Sequence, residues 1–156
     1  MDSTWATCHE EGCPMSPDAL LDRAREAAAH AYAPYSTFPV GCALLLQDGS
    51  VVTGCNVENA SYGLSMCAER GAISRMIIET GANRPPSADS APPRPEIVLA
   101  ATAGLKAAPC YPCRACRQVL HEFDCGAIVV EDKETKGPVV IDFADLLPHA
   151  FGPADL

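Results

Sequence analysis

Two cysteine-bearing segments constrain this chain more than any other feature of it. Cys67-Ala68-Glu69-Arg70 and Pro112-Cys113-Arg114-Ala115-Cys116 each open a helical pattern that follows a strand pattern. In a sheet covered by helices, such helix starts can meet at one sheet edge, where ligands of such folds sit. Cys113 and Cys116 are three apart, so a helix presents them on one face. The surrounding pattern supplies the sheet. Ser16-Pro17-Asp18 reads as a helix start: a hydroxyl cap, Pro in the first turn and an acid near the positive end of the dipole. Leu20, Leu21, Ala24, Ala27, Ala28 and Ala31 follow at helical spacing, and Pro34 stops the run. Val40 to Leu46 predicts a buried strand, Gln47-Asp48-Gly49-Ser50 a hairpin turn, and Val51 to Val57 the returning strand. Leu64 to Glu79 predicts a helix with Gly81 as its stop, Ile97 to Thr102 a strand, and Pro112 to about Phe123 a helix. Ala127 to Glu131 and Val139 to Ile141 predict two more strands, with a short helix near Phe143 to Leu147. Two strand–helix crossovers ask for parallel pairing and the hairpin for antiparallel pairing. The expected fold class is α/β: a three-layer α/β/α arrangement around a mixed five-stranded sheet.

At 156 residues the chain suffices for one domain plus short appendages. The expected organisation is an irregular N-terminal extension over 1–15 and a single catalytic domain over 16–156, carrying a proline-rich loop insertion at 82–95. Lys and Arg number 11 against 20 acidic residues, a net charge of −9, and the basic residues form no stripe. That field disfavours a nucleic acid polymer as partner and leaves a small neutral ligand open. The longest apolar run, Val40 to Leu46, is far too short to span a bilayer, and the first fifteen residues lack the basic start of a signal peptide. No membrane partner is expected, and the expected location is cytoplasmic. In that reducing compartment the nine cysteines do not read as a disulfide framework, and an odd number excludes full pairing within one chain. Cys8, His9 and Cys13 lack any apolar period to fix them, so the extension reads as a tail rather than a metal site.

Metal ligation and catalysis remain for the two segments. Thiolates at helix N-termini are favoured by exposed amides and the dipole, and three of them suit Zn²⁺, leaving one coordination position for water. Glu69, two residues past Cys67, then stands beside that position as a proton carrier. Three thiolates outweigh the metal by one negative charge, which works against acidifying water. Arg70 is the available compensation, through hydrogen bonds to ligand sulfur. A lone Cys-x-x-Cys after a strand equally suits a redox dithiol, and Cys110, Cys113 and Cys116 together resemble part of an iron–sulfur set. Cys-Ala-Glu followed by Pro-Cys-x-x-Cys is more specific, for it matches the signature of zinc deaminases.

Further motifs carry a family resemblance from about Leu20 to the C-terminus: Ala33-Pro34-Tyr35-Ser36-Thr37-Phe38-Pro39-Val40-Gly41, Gly54-Cys55-Asn56-Val57-Glu58-Asn59-Ala60, Cys116-Arg117-Gln118-Val119-Leu120, Leu146-Leu147-Pro148 and Phe151-Gly152-Pro153. The chain resembles the small homotetrameric zinc-dependent cytidine deaminases. The resemblance implies one zinc per subunit on Cys67, Cys113 and Cys116, with Glu69 as proton shuttle. It implies hydrolytic deamination of cytidine and deoxycytidine to uridine and deoxyuridine plus ammonia, as in pyrimidine salvage. It gives Asn56 and Glu58 the ribose hydroxyls, puts Phe38 beside the nucleoside and sets the Ala68 backbone against the base. Tyr62 and Phe151 match positions that reach a neighbouring subunit's site, so the active sites would be shared within a closed homotetramer. Taken alone, Asn56 and Glu58 also read as a polar strand end, and Phe38 as core packing.

Three positions depart from the family pattern. Arg114 stands where Gly is usual, Tyr111 where Ser is common, and Cys110 adds a third nearby thiol, read as a bystander with oxidation or alternative ligation open. The rival readings are a catalytically silent zinc-stabilised module that binds nucleosides, and a deaminase of a related cytosine nucleoside such as blasticidin S. Against the first stands Glu69, a carboxylate that a structural site does not need. Against the second stands the Asn-Val-Glu-Asn segment.

Overall fold

The computed structural model describes residues 12–82, 94–152 and 155–156. Most of the extension and of the proline-rich loop expected at 82–95, with Cys8 and His9, lies outside the described residues. Helix α1 spans Pro17–Ala28, and its Ser16 cap accepts a hydrogen bond from Ala19 N at 3.2 Å. Strands β1 (Val40–Leu46) and β2 (Val51–Cys55) form the hairpin, and helix α2 covers Ala68–Thr80. Strand β3 (Ile97–Gly104) leads to helix α3 (Arg114–His121), followed by β4 (Ala127–Glu131), β5 (Pro138–Asp142) and the short α4 (Phe143–Leu146).

The strands lie in the order β2-β1-β3-β4-β5. β1 pairs antiparallel with both β2 and β3, β3 pairs parallel with β4, and β4 pairs antiparallel with β5. The sheet is mixed and five-stranded, as expected. Alternation sorts its side chains onto two faces. Cys42, Leu44 and Leu46 pack with Ala68, Ala72, Ile73 and Met76 of α2, Leu120 of α3 and Phe143 of α4. Ala43 and Leu45 pack with Leu20, Leu21 and Ala24 of α1 on the other face. Among the described residues no helix is long and apolar enough to cross a membrane.

Two consequences of this topology position the site. Both β2 and β3 run antiparallel to β1, so they run parallel to each other, and the helices that follow them start at the same sheet edge. Two glycines then set how closely helices lie on the sheet. A Cβ on Gly41 would stand 1.9 Å from Ala24 O of α1, and one on Gly54 would stand 2.4 Å from Ala72 N of α2. The backbone of α2 thus rests directly on β2 within two turns of Cys67.

Both cysteine helices begin later than the sequence pattern suggests. The helix expected from Leu64 starts at Ala68, and the one expected from Pro112 starts at Arg114. Val57 and Met66 exchange two backbone hydrogen bonds of 2.9 Å, which keeps the chain extended up to Cys67. Cys67 and Cys113 are the N-caps of α2 and α3, with extended backbone angles, rather than first-turn residues. Gly81 ends α2 at φ 63°, a left-handed position that suits glycine.

Candidate active site

Each N-cap position holds its cysteine just outside the helical ladder, beside the unpaired amides of the first turn. Cys116 lies one turn into α3 and is buried, whereas Cys113 is exposed and Cys67 half-buried. The three sulfurs come together: Cys67 Sγ and Cys113 Sγ are 3.9 Å apart, and all three lie within 4.8 Å of one another. Zinc held by sulfur at about 2.3 Å in a tetrahedron needs sulfurs about 3.8 Å apart, so this trio fits the ion. Cys110 does not join the cluster. Cys13 is disulfide-bonded and supplies no thiolate.

The electrostatics suit an anionic sulfur here. Cys67 is drawn down to about 5, chiefly by the Cys116 thiol beside it, with Cys113 and the Arg70 guanidinium adding to the effect against desolvation. Cys116 moves the other way, because it holds the proton in the bond it shares with Cys67. Arg70 also explains itself only in part. Its Nη2 donates to Ser65 O at 3.1 Å, yet its Nε is buried with no hydrogen-bond partner. A buried guanidinium N–H without an acceptor asks for an anion.

Glu69 is 4 % exposed, and it and Thr102 are the two buried polar or charged side chains among the described residues. Burial pushes its carboxyl up and the charge on Cys67 adds to that, while its own backbone N–H, the Cys116 thiol and Arg70 pull the other way. A carboxyl in this setting can hold a proton and return it.

These groups open into a pocket of about 500 Å³. Cys67, Ala68, Glu69 and Cys113 line it, as do Asn56, Glu58, Tyr35 and Tyr62, together with Cys110 and Tyr111. Glu58 Oε2 accepts from Tyr35 N at 2.9 Å and Ser36 N at 3.1 Å. Hydrogen bonds from Ser36 and from those amides hold its carboxyl below the usual range. Asn56 is committed twice: Oδ1 accepts from Val40 N at 2.9 Å and Nδ2 donates to Phe38 O at 3.0 Å. Both side chains therefore staple the 35–40 segment to the end of β2 as well as facing the pocket.

Phe38 and Phe151 lie outside this pocket, Phe151 having been matched to a position that reaches a neighbour's site rather than its own. Phe38 is not in the pocket lining; its ring fills the space over Gly104, where a Cβ would meet Phe38 Cε1 at 2.9 Å. Phe151 is exposed and outside the lining, with its carbonyl held by Gln118 Nε2 at 2.8 Å. Tyr62, matched to a position that reaches a neighbour's site, lines this chain's own pocket and meets Tyr35 edge-on at 6.1 Å between ring centroids. Tyr111, which the sequence singles out as able to crowd the metal rim or alter substrate entry, lines the pocket, and Cys110, read there as a buried bystander, is only half-buried and lines it too. Sequence reasoning missed Thr102, whose hydroxyl inside an apolar strand stands out only once burial is known.

Residues 15–132 match the family model described as the cytidine and deoxycytidylate deaminase zinc-binding region. The chain is 38 % identical over 143 residues to a cytidine deaminase of Sporosarcina psychrophila, covering 91 % of this chain and 96 % of that one. It is 41 % identical over 137 residues to a cytidine deaminase of Mycobacterium tuberculosis, covering 88 % and 90 %. A crystal structure of the cytidine deaminase from Burkholderia pseudomallei superposes with a TM-score of 0.70 at 41 % identity, covering 88 % of this chain and all of the other.

Proposed function

This chain belongs to the cytidine and deoxycytidylate deaminase family, and from that premise we propose how its own residues carry out the reaction. It is a zinc-dependent enzyme that hydrolytically deaminates cytidine to uridine and ammonia. The observation that carries the reading is the sulfur trio and the buried glutamate beside a pocket that Cys67, Glu69 and Cys113 help to line. Residues 16–156 act as one catalytic unit, and deoxycytidine is accepted as well.

Cys67, Cys113 and Cys116 hold the zinc. When bound, the ion supplies a Lewis acid that makes a water nucleophilic at neutral pH. Glu69 accepts the proton that the water gives up and delivers it to N3 of the base as C4 is attacked; it then takes the proton of the new C4 hydroxyl and passes it to the amino group, which leaves as ammonia while C4 becomes a carbonyl. Its burial keeps bulk water from competing for that proton. The Ala68 backbone and the pocket wall orient the base. Glu58 Oε1 accepts a ribose hydroxyl, since Oε2 is taken by two amides. Asn56 serves the ribose chiefly by fixing the 35–40 wall, and Phe38 supports that wall from behind.

Arg70, whose guanidinium acts on Cys67, offsets the third thiolate's charge, and its unpartnered Nε is available to donate to ligand sulfur once the ion is in place. Arg70→Ala is expected to weaken zinc retention by roughly 10- to 100-fold and to displace the pH–rate profile. Titration with a competing chelator and kcat measured across pH check this; an unchanged pair of curves removes Arg70 from that role.

The assembly is a closed homotetramer in the cytoplasm, in which Phe151 of one subunit completes a neighbour's pocket. Support comes from the apolar side chains left exposed around the pocket, among them Tyr35, Val57, Tyr62, Leu64 and Met66, and from the exposed ring of Phe151 itself. One experiment tests the whole reading. Purified protein with its metal content measured is given cytidine, and the ultraviolet change and ammonia release are followed while the protein is diluted. Turnover by zinc-loaded protein that falls away as the assembly dissociates is expected. Bound zinc without turnover supports the silent nucleoside-binding module instead.

A further inference from the structure

The segment from Leu105 to Cys113 that brings the exposed zinc ligand to its place has no regular structure. Two of its last three residues before the ligand, Cys110 and Pro112, are held through their carbonyls by side chains from the two elements it joins. Arg117 of α3 donates through Nε to Pro112 O at 3.0 Å, and through Nη1 to Leu146 O at 2.9 Å. From the other side, Thr102 of β3 donates through Oγ1 to Cys110 O at 2.6 Å.

Thr102 has no packing reason to be a threonine. It sits in the middle of the sheet, paired with Cys42 on β1 and Val130 on β4, and is completely buried. Ala100, Ala101 and Ala103 surround it on its own strand, in a run that is apolar throughout apart from this hydroxyl. A buried hydroxyl is unfavourable unless it is hydrogen-bonded, so its single use here is informative. That use is a carbonyl eight residues away, three positions before Cys113.

We propose that Thr102 is a positioning residue for the zinc site: its hydroxyl clamps the Cys110 carbonyl, and with Arg117 on the far side it fixes the approach of Cys113 to the other two sulfurs. The proposal rests on the reading of Cys113 as a zinc ligand. Cys116 is held within α3 and Cys67 is anchored by the Val57–Met66 bridge, so both stay in place without Thr102. Cys113 is the exposed one of the three and lies outside the helical ladder, so the effect of losing the clamp concentrates on it.

The test is competition for zinc between the full-length protein and a chromophoric chelator, run beside thermal melts of the metal-free forms. Thr102→Val keeps the shape and removes the donor, and is expected to bind zinc about tenfold more weakly than the parent, while Thr102→Ser stays within about twofold. If Val proves too unstable to purify, Thr102→Ala against Thr102→Ser gives the same comparison, because both lose the methyl group and only Ser keeps the donor. A donor-less variant that holds zinc as tightly as the Ser variant overturns the clamp while leaving the zinc site standing. A parent protein that takes up no zinc overturns the site and the clamp together.

Discussion

Glu69→Gln is expected to lower kcat for cytidine by roughly 10³- to 10⁴-fold, the upper part of the range for a positioned general acid and base. The zinc content of the purified protein should not change, since Glu69 is not a member of the sulfur trio. The amide matches the carboxylate in shape and can still fill the buried space behind Ala68, so the fold is retained. What disappears is a group that accepts and releases a proton next to the reacting centre, at a position with only 4 % exposure where solvent does not substitute for it. KM should move much less than kcat, because the pocket wall formed by Asn56, Glu58 and Tyr35 is untouched. Steady-state kinetics beside elemental analysis decides the matter. A variant with full zinc and turnover within about tenfold of the parent takes the proton-carrying role away from Glu69.

Much of this site is legible in the sequence because its ligands sit at helix starts, and helix starts after strands converge wherever the strands run the same way. Spacing draws attention to Cys67, Glu69, Cys113 and Cys116, the deaminase signature narrows the readings that spacing leaves open, and the structure brings the three sulfurs together. The start of α2 falls at Ala68 rather than Leu64 because the Val57–Met66 pairing is non-local, and periodicity across Leu64 to Met66 carries no trace of it. Partners of polar atoms were equally hidden. The strand expected over Val51 to Val57 ends at Cys55, so Asn56 and Glu58 lie just past it, and nothing local says that the Asn56 amide bridges Phe38 O and Val40 N. Phe38 illustrates the same limit: an aromatic residue in a pocket-forming segment can point at the ligand or behind the wall, and here the space over Gly104 takes the ring. Thr102 belongs with these, since a single hydroxyl between alanines is unremarkable until the strand is seen to be buried on both faces.

Cys113→Ala and Cys110→Ala separate ligand from bystander and should give opposite results, although the two thiols are three residues apart. Structural zinc is held by about 10–16 kcal/mol over four ligands, so one sulfur contributes on the order of 3 kcal/mol, a factor of roughly 10² or more in affinity. Cys113→Ala is therefore expected to lose zinc on dialysis and turnover with it. Cys110→Ala should keep zinc within about twofold of the parent, because Cys110 lines the pocket but stays out of the cluster of sulfurs within 4.8 Å. Burial pushes the Cys110 thiol up to about 11, with the charges on Glu69 and Cys67 adding to it, so it faces the substrate as a neutral group. A neutral thiol in the wall can affect the fit of the nucleoside, and any change in Cys110→Ala should fall on KM rather than on metal content. Zinc lost from Cys110→Ala, or retained by Cys113→Ala, would mean that the loop swaps one sulfur for the other, and the ligand set assigned here would have to be redrawn around Cys110.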